Sequence, residues 1–238
     1  MASGLVMFAV TQEARPFVQL ARAGGLRVVP QPPCVRTVPR QWAVDGHQVV
    51  VSGMGATRAV AAAQAILDAA EPEWVLTCGF AGALAPGLKI GDLVHDADPW
   101  FPMDPSEGLP GARPGRFHCS RRVAVTRDEK TRLHHDTGAD VVEMESGAVR
   151  DLCRARGVPS ATLRVVSDEA SEDLPLDFNA LMTASNDLHA GRMAWAIARA
   201  PWKIVELLRF QRRVARASDV LARALVGWMK QASAGERA

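Results

Sequence analysis

The chain has few cysteines and no C-x-x-C pair, which makes a zinc site or a disulfide framework a poor fit. Its four cysteines stand far apart, at positions 34, 78, 119 and 153. The six histidines show no metal-ligand spacing either. We therefore expect reduced thiols in a cytoplasmic protein that holds no metal ion.

Several common signatures are also absent. No apolar run reaches the length of a membrane span, and residues 1–10 lack the basic region that begins a signal peptide. The patterns G-x-G-x-x-G, P-loop, G-x-S-x-G and H-E-x-x-H do not occur. We therefore expect no resident cofactor and no signal peptide.

The composition fits one large domain with a basic end. The 238 residues are 48% hydrophobic and 23% charged, enough for a substantial core. Nine Lys or Arg and two Asp or Glu lie between Arg192 and Lys230, a net charge of +7 that leaves −5 for the rest. We predict an α/β domain over residues 1–185 and a basic helical extension over 186–238.

Apolar strand-like runs alternate with helical patterns along the first 185 residues. This alternation predicts a single three-layer α/β domain whose central, mostly parallel mixed sheet is flanked by helices. Predicted strands are 5–10, 74–77, 88–94, 123–126 and 163–168, with a hairpin over 42–51 around Asp45-Gly46. Predicted helices are 56–70, 128–135 and 148–156.

The segment from Pro201 to Lys230 has the pattern of a basic amphipathic helix, with apolar residues at spacings of three and four and arginines mostly opposite. Such a helix packs on its own domain or a second subunit, or it lies on an anionic membrane. We favour packing, because many helices have a basic outer face. No recognised nucleic-acid motif accompanies the helix, so we expect no nucleic-acid partner.

Acidic residues stand where predicted strands and helices meet. Glu145 and Asp168 each have apolar neighbours, and a buried unpaired carboxylate is costly, so we expect them to be partnered, protonated or functional. Arg164 lies in an apolar strand and is a natural partner, and a purely structural Arg164–Glu pair is one alternative. Glu13 alone fits a solvated first-turn glutamate. The glycine-rich stretches 53–55 and 79–82 follow strands, and each alone is explained by a tight turn.

Taken in order, these pieces resemble the nucleoside phosphorylase/nucleosidase superfamily, and most closely its 5'-methylthioadenosine/S-adenosylhomocysteine nucleosidases. The resemblance runs from about residue 5 to about residue 178. Its motifs are Gln12-Glu13, Ser52-Gly53-Met54-Gly55, the run from Thr77 to Pro86 with Lys89-Ile90-Gly91-Asp92, Val142-Glu143-Met144-Glu145, and Arg164-Val165-Val166-Ser167-Asp168.

The resemblance implies hydrolysis of a purine nucleoside modified at its 5' position. Asp168 would be the general acid that protonates the base, so it would have to hold a proton, and Ser167 would orient it. Glu13 and Arg164 would hold the attacking water. Glu145, with Met144, would grip the ribose hydroxyls. The remaining implied binding residues are Glu143, Gly79, Phe80, Ala81, Gly82, Met54, Val125 and Phe178.

The resemblance also implies a homodimer, and it leaves two alternative functions. Phe80 replaces a serine that helps place the water in these nucleosidases, which allows a nucleoside-binding protein without catalysis. The chain also resembles the hopanoid-associated phosphorylase group, which implies phosphate as a second substrate. Thr77-Cys78 replaces the phosphate-binding arginine of phosphorylases, although three other arginines offer positive charge, namely Arg15, Arg58 and Arg164.

Overall fold

One mixed sheet of ten strands forms the centre of the computed structural model, which describes residues 3–32, 38–102, 109, 111–183 and 189–235. The strands are β1 Gly4–Phe8, β2 Val28–Gln31, β3 Arg40–Val44, β4 His47–Val51, β5 Trp74–Ala83, β6 Leu93–Ala97, β7 Ala112–Pro114, β8 Phe117–Cys119, β9 Val141–Glu143 and β10 Ser160–Asp168. The α-helices are α1 Thr11–Ala23, α2 Ala56–Ala70, α3 Arg127–Thr137, α4 Ser146–Ala155, α5 Phe178–Leu181, α6 Ala190–Arg199 and α7 Ile204–Gly235, and a 3-10 turn spans Pro201–Lys203.

The centre of the sheet is parallel, as predicted. Its strand order is β2-β3-β4-β1-β5-β10-β6-β7, with β9 beside β5 and β8 beside β9. The four central strands β4, β1, β5 and β10 all run parallel to one another, so their carboxyl ends share one edge of the sheet. Every residue of β1 and of β10 is buried, as expected for strands covered on both faces. This edge is where a ligand of an open α/β sheet is expected.

Alternate side chains of β1 enter two different hydrophobic cores, which confirms the three layers. Val6 and Phe8 pack with α1 and α7 on one face. Leu5 and Met7 pack with α2 and α4 on the other. The two-residue period of a strand therefore divides one short sequence between both cores.

The end of α7 belongs to the main core. Trp228 contacts Trp74 edge-on at 5.6 Å and stacks on Phe101 at 6.3 Å, both between ring centroids. The favoured packing of this helix on its own domain is therefore observed over 217–229. Residues on both sides of the boundary predicted between 185 and 186 contribute to this core, and the division into two parts stays a prediction. Within the described residues, no helix is long and apolar enough to cross a membrane.

Three local predictions were wrong. Residues 123–126 are not a strand, because Thr126 caps α3 and exchanges hydrogen bonds with Glu129 in a capping box. Residues 88–92 form a turn before β6, which the Asp92 carboxylate closes by accepting the Lys89 N–H at 2.9 Å. The stretch 79–82 is not a turn but part of β5, which pairs with β10 and β9.

Candidate active site

A cavity of about 180 Å³ lies at the carboxyl ends of β1, β5 and β10. Ten of the predicted site residues line it, namely Glu13, Met54, Phe80, Ala81, Gly82, Glu143, Met144, Glu145, Ser167 and Asp168. Residues from five separate motifs therefore meet at one place. Their meeting follows from the strand order, in which the parallel strands β4, β1, β5 and β10 share one edge and the antiparallel β9 ends beside it.

Glu13 is a buried side chain held by three backbone donors, and it is not the solvated glutamate of the alternative interpretation. Its Oε2 accepts the N–H groups of Ala9 and Val10, each at 3.0 Å, and its Oε1 accepts the N–H of Phe80 at 2.8 Å. Burial raises the pKa of Glu13 above its ordinary value, although these N–H groups oppose the shift. A Cβ atom on Gly79 would lie 2.5 Å from Glu13 Oε1, so only glycine leaves room for this arrangement.

Arg164 binds Glu143 in a buried ion pair. Its Nη2 lies 2.7 Å from Glu143 Oε2 and 3.9 Å from Glu145 Oε2. Glu143 also accepts the N–H of Glu145 at 3.0 Å, and the N–H and hydroxyl of Ser146 at 2.8 and 2.9 Å. Burial alone would raise the pKa of Glu143, but Arg164 and these donors outweigh it and the pKa is lowered. Both oxygens of Glu143 are thus occupied by protein donors, which fits a positioning role better than the predicted substrate binding.

Glu145 stands at the cavity with less support. Its Oε1 accepts the N–H of Gly55 at 2.8 Å, which joins the glycine stretch 53–55 to the acidic motif. Burial, and then the charge of Glu143, raise the pKa of Glu145 to about 7, while Arg164 opposes them. Glu145 therefore changes its charge close to neutral pH, and it faces a space where a hydroxyl group can bind.

Asp168 ends β10 and is held between a serine and a lysine. The Ser167 hydroxyl donates to Asp168 Oδ1 at 2.6 Å, which is the predicted contact. Lys130 Nζ lies 2.5 Å from Asp168 Oδ2 and donates to the carbonyl groups of Glu169 and Glu172 at 2.8 and 2.9 Å. Three acceptors thus satisfy the three N–H donors of a fully buried ammonium group.

Lys130 is not among the predicted site residues. It lies in a polar helix, and a lysine there reads as solvent-exposed because lysine is almost never fully buried without a partner. Its partners are more than thirty residues away in sequence, so no local pattern shows them. The one signal is that Asp168, in an apolar setting, needed a partner that Arg164 does not supply.

Four predicted site residues lie outside the lining of the cavity. Phe178 packs against Phe210 with ring centroids 5.8 Å apart. Val125 donates its backbone N–H to Glu129 at the start of α3, and its neighbours Val123 and Ala124 line the cavity instead. Gly79 and Arg164 contact lining residues from behind.

The cavity is acidic. Its lining includes four acidic side chains, from Glu13, Glu143, Glu145 and Asp168. Among the described lining residues one is cationic, Arg122, and it is ion-paired with Glu129. The three arginines that offered an alternative phosphate site do not line it. Arg15 instead lines a second cavity of about 410 Å³ between α1 and α7, which shares Phe80 with the first. No group of side chains in the described ranges is arranged to hold a metal ion.

Comparison with known sequences identifies one superfamily. The profile of the phosphorylase superfamily matches residues 5–95 and 106–225. The chain is 29% identical to the 5'-methylthioadenosine/S-adenosylhomocysteine nucleosidase of Shewanella oneidensis over 171 residues, 57% of this chain and 72% of that protein. It is 26% identical to the nucleosidase of the same name from an Exiguobacterium species over 188 residues, 64% of this chain and 80% of that protein.

Solved structures share the whole fold. The futalosine hydrolase of Helicobacter pylori superposes with a TM-score of 0.68 at 18% identity, covering 97% of this chain and 99% of that one. The 5'-methylthioadenosine/S-adenosylhomocysteine nucleosidase of the same organism, bound to butyl-thio-DADMe-Immucillin-A, gives a TM-score of 0.69 with the same identity and coverage. The likeness extends over α6 and α7, so the basic C-terminal part is included in the shared architecture.

Proposed function

Because the chain belongs to the phosphorylase superfamily, we propose that it is an N-glycosidase that hydrolyses a purine nucleoside modified at its 5' position and releases the base. Relatives named as nucleosidases support this activity, and so does the cavity, which combines a general-acid candidate with carboxylates suited to binding hydroxyls. We place the enzyme in the cytoplasm as a homodimer, in line with the free thiols of Cys78, Cys119 and Cys153 and with the family resemblance. The fourth cysteine, Cys34, lies outside the described residues.

The proposed acid is Asp168. When it passes its proton to the departing base, the carboxylate left behind is stabilised by the Lys130 ammonium at 2.5 Å and the Ser167 hydroxyl at 2.6 Å. Fixed donors that meet a charge as it forms stabilise the transition state without reorganisation. In this arrangement both Asp168 oxygens accept hydrogen bonds, so Asp168 must first take up a proton from solvent, which it then passes to the departing base.

Glu145 is proposed to accept hydrogen bonds from the ribose hydroxyls. Its second oxygen is 3.9 Å from Arg164, too far for a hydrogen bond, so it retains acceptor capacity. A hydroxyl that donates a hydrogen bond to a carboxylate gains electron density at its oxygen. The sugar ring can then carry positive charge more easily. Glu145 thus binds the sugar and favours an oxocarbenium-like transition state.

Glu13 and Arg164 are proposed to position the attacking water. The raised pKa of Glu13 makes its carboxylate a better base than an exposed glutamate. Arg164 keeps one buried donor, Nε, without a hydrogen-bond partner among the described residues. A water molecule that is held by Glu13 and accepts this N–H would give the donor a partner.

The acidity of the cavity is the observation that favours hydrolysis over phosphorolysis. A phosphate ion would have to enter beside four acidic side chains. The nearby cations Arg164 and Lys130 are already ion-paired, and so is Arg122, the one cationic side chain among the described lining residues. Like charges that lie close together in a poorly solvated site repel each other strongly. Neutral water meets no such barrier.

The test measures base release from methylthioadenosine, S-adenosylhomocysteine and adenosine, each with and without phosphate. We expect release without phosphate and a free reducing sugar as the second product. Release that strictly requires phosphate, with a sugar-1-phosphate product, would establish the phosphorylase alternative. Tight binding of all three nucleosides with no product would establish loss of catalysis.

A further inference from the structure

Large apolar side chains are exposed in one short segment. Of the seven exposed large apolar residues in the described ranges, five lie between residues 195 and 208, namely Trp195, Trp202, Ile204, Val205 and Leu208. The two tryptophans are 60% and 74% exposed. Single exposed apolar residues are ordinary, whereas a cluster marks an interaction surface. We call residues 190–216, which comprise α6, the 3-10 turn and the first part of α7, the basic elbow.

The elbow is also strongly cationic. Seven Arg or Lys and one Glu lie between Arg192 and Arg216, a net charge of +6. Each residue of a helix advances about 100° around its axis. Ile204, Val205 and Leu208 of α7 therefore lie within an arc of about 140°, which also contains three exposed arginines. These are Arg209, Arg212 and Arg216, and none forms an ion pair with another described residue.

The elbow is attached to the domain on its other side. Arg213 pairs with Glu172 at 2.7 Å, and Lys203 donates to the carbonyl group of Pro175 at 2.9 Å. Further along α7, the side chains from Ala217 onward enter the main core. Core packing therefore explains residues 217–229, and it leaves the apolar and basic face of the elbow uncovered within the described structure.

We propose that the basic elbow docks the enzyme on an anionic lipid surface. Tryptophan rings favour the boundary between headgroups and acyl chains, and short aliphatic side chains enter that boundary. Arginines on the same arc then reach the phosphate groups of the lipids, where each basic residue adds to binding. The elbow combines all three features in one exposed segment.

Charge argues against a second copy of this chain as the occupant. A two-fold interface would place this surface against itself, and a net charge of +6 would meet +6. An anionic bilayer instead offers negative charge over the whole face. The surface lies outside the groups assigned to catalysis, so the proposal is independent of the proposed function.

Flotation of the full chain with lipid vesicles tests the docking directly. We expect binding to vesicles that contain phosphatidylglycerol, little binding to pure phosphatidylcholine, and weakening at high salt. Trp195→Ser with Trp202→Ser should reduce partitioning at least about tenfold, because the rings leave the interface. The matched control is Trp100→Ser, since Trp100 is 66% exposed and lies outside the elbow, and it should bind like the parent.

Charge-reversal variants provide a second test of the docking. Arg209→Glu with Arg212→Glu should lower partitioning into anionic vesicles by about a hundredfold, while Arg22→Glu with Arg40→Glu changes the net charge equally and should have a small effect. Retained base release and an unchanged circular dichroism spectrum show that each variant is folded. Equal losses in both charge variants, or no vesicle binding by the parent, would overturn the proposal. A fall in oligomeric state caused by the tryptophan variant would instead identify the elbow as an interface between copies and would also overturn it.

Discussion

The Lys130 ammonium lies 2.5 Å from the Asp168 carboxylate, and both side chains are buried. Two elements far apart in sequence form this pair, since Lys130 comes from α3 and Asp168 ends β10. The other two donors of Lys130 are bound to carbonyl groups of the loop that follows β10. The lysine therefore fixes the position of the proposed acid and supplies the charge that stabilises its conjugate base.

Replacing Lys130 by methionine should lower kcat by about a hundredfold, in the range seen when one donor to a developing charge is removed. Steady-state kinetics measure the effect, and KM should change far less than kcat. The control is Lys89→Met, since Lys89 forms an exposed pair with Glu169 and should keep parental kinetics. A Lys130→Met enzyme with a parental kcat would exclude this role.

The charge of Glu145 gives the free enzyme a pH dependence near neutrality. Its pKa is raised to about 7, against about 4.3 in an unfolded chain, so the folded state holds the proton more tightly. The resulting stability is fully present below the unfolded pKa and is lost as pH rises through about 7. We expect the Tm of the free protein to fall as pH rises from about 4 to about 7 and to level off by about pH 8, and Glu145→Gln should remove part of that fall. Asp151→Asn, at an exposed site, should leave it in place.

Activity should follow the opposite trend across the same range. If the Glu145 carboxylate accepts ribose hydroxyls, kcat/KM should rise as pH increases through about 7. Initial rates at fixed ionic strength measure it. A profile that stays flat from about pH 6 to about pH 8, in an enzyme that retains its fold, would contradict the assignment.

The buried pair of Glu143 and Arg164 predicts a large loss of stability when one partner is neutralised. Glu143→Gln leaves the Arg164 guanidinium buried without its counter-ion, which costs about 3–5 kcal/mol. Denaturant unfolding measures the loss. The control is Asp92→Asn, whose partner Arg113 is 49% exposed, and it should cost under about 1 kcal/mol. Equal costs in the two variants would mean that the buried pair contributes no more than a surface one.

Gly79 tests how closely β5 must approach Glu13. Gly79→Ala adds a Cβ atom 2.5 Å from Glu13 Oε1, so the carboxylate must move away from the N–H of Phe80. We expect at least about a tenfold loss of kcat/KM, because a displaced group no longer holds the reacting water in place. Gly227→Ala, in α7 where no atom lies within 4 Å of the added Cβ, should be neutral or stabilising. Full activity in Gly79→Ala would contradict the proposal that Glu13 positions the attacking water.

Local signals predicted much of the fold. The Asp45-Gly46 pair predicted the hairpin, because such a pair favours the positive φ that a tight turn needs. Both residues adopt positive φ in the structure. Helix α2 was predicted with its observed ends, since Gly55 precedes it and an alanine-rich run fills it. The glycine stretch 79–82 was misread as a turn, because a glycine that makes room for a distant carboxylate looks the same in sequence as one that bends the chain.

Most of the site followed from the motifs, while the groups that hold it did not. The ends of β1 and β10 placed Glu13 and Asp168 together, since parallel strands open at one edge. Glu145 joins them because it follows β9, which pairs antiparallel with the end of β5. Lys130 was missed because its partners are set by the packing of α3 on the loop after β10, which no local pattern encodes. Phe178 was placed in the pocket by resemblance, whereas here its ring packs on Phe210 of α7.

The most direct test compares the parent with Asp168→Asn in phosphate-free buffer, following adenine release from methylthioadenosine in a single turnover. The control is Glu169→Gln, which removes the adjacent carboxylate outside the cavity lining. We predict that Asp168→Asn binds the nucleoside and keeps its fold but releases base at least about a thousandfold more slowly, while Glu169→Gln matches the parent. Substantial release by a folded Asp168→Asn enzyme would contradict Asp168 as the acid and the proposed mechanism with it.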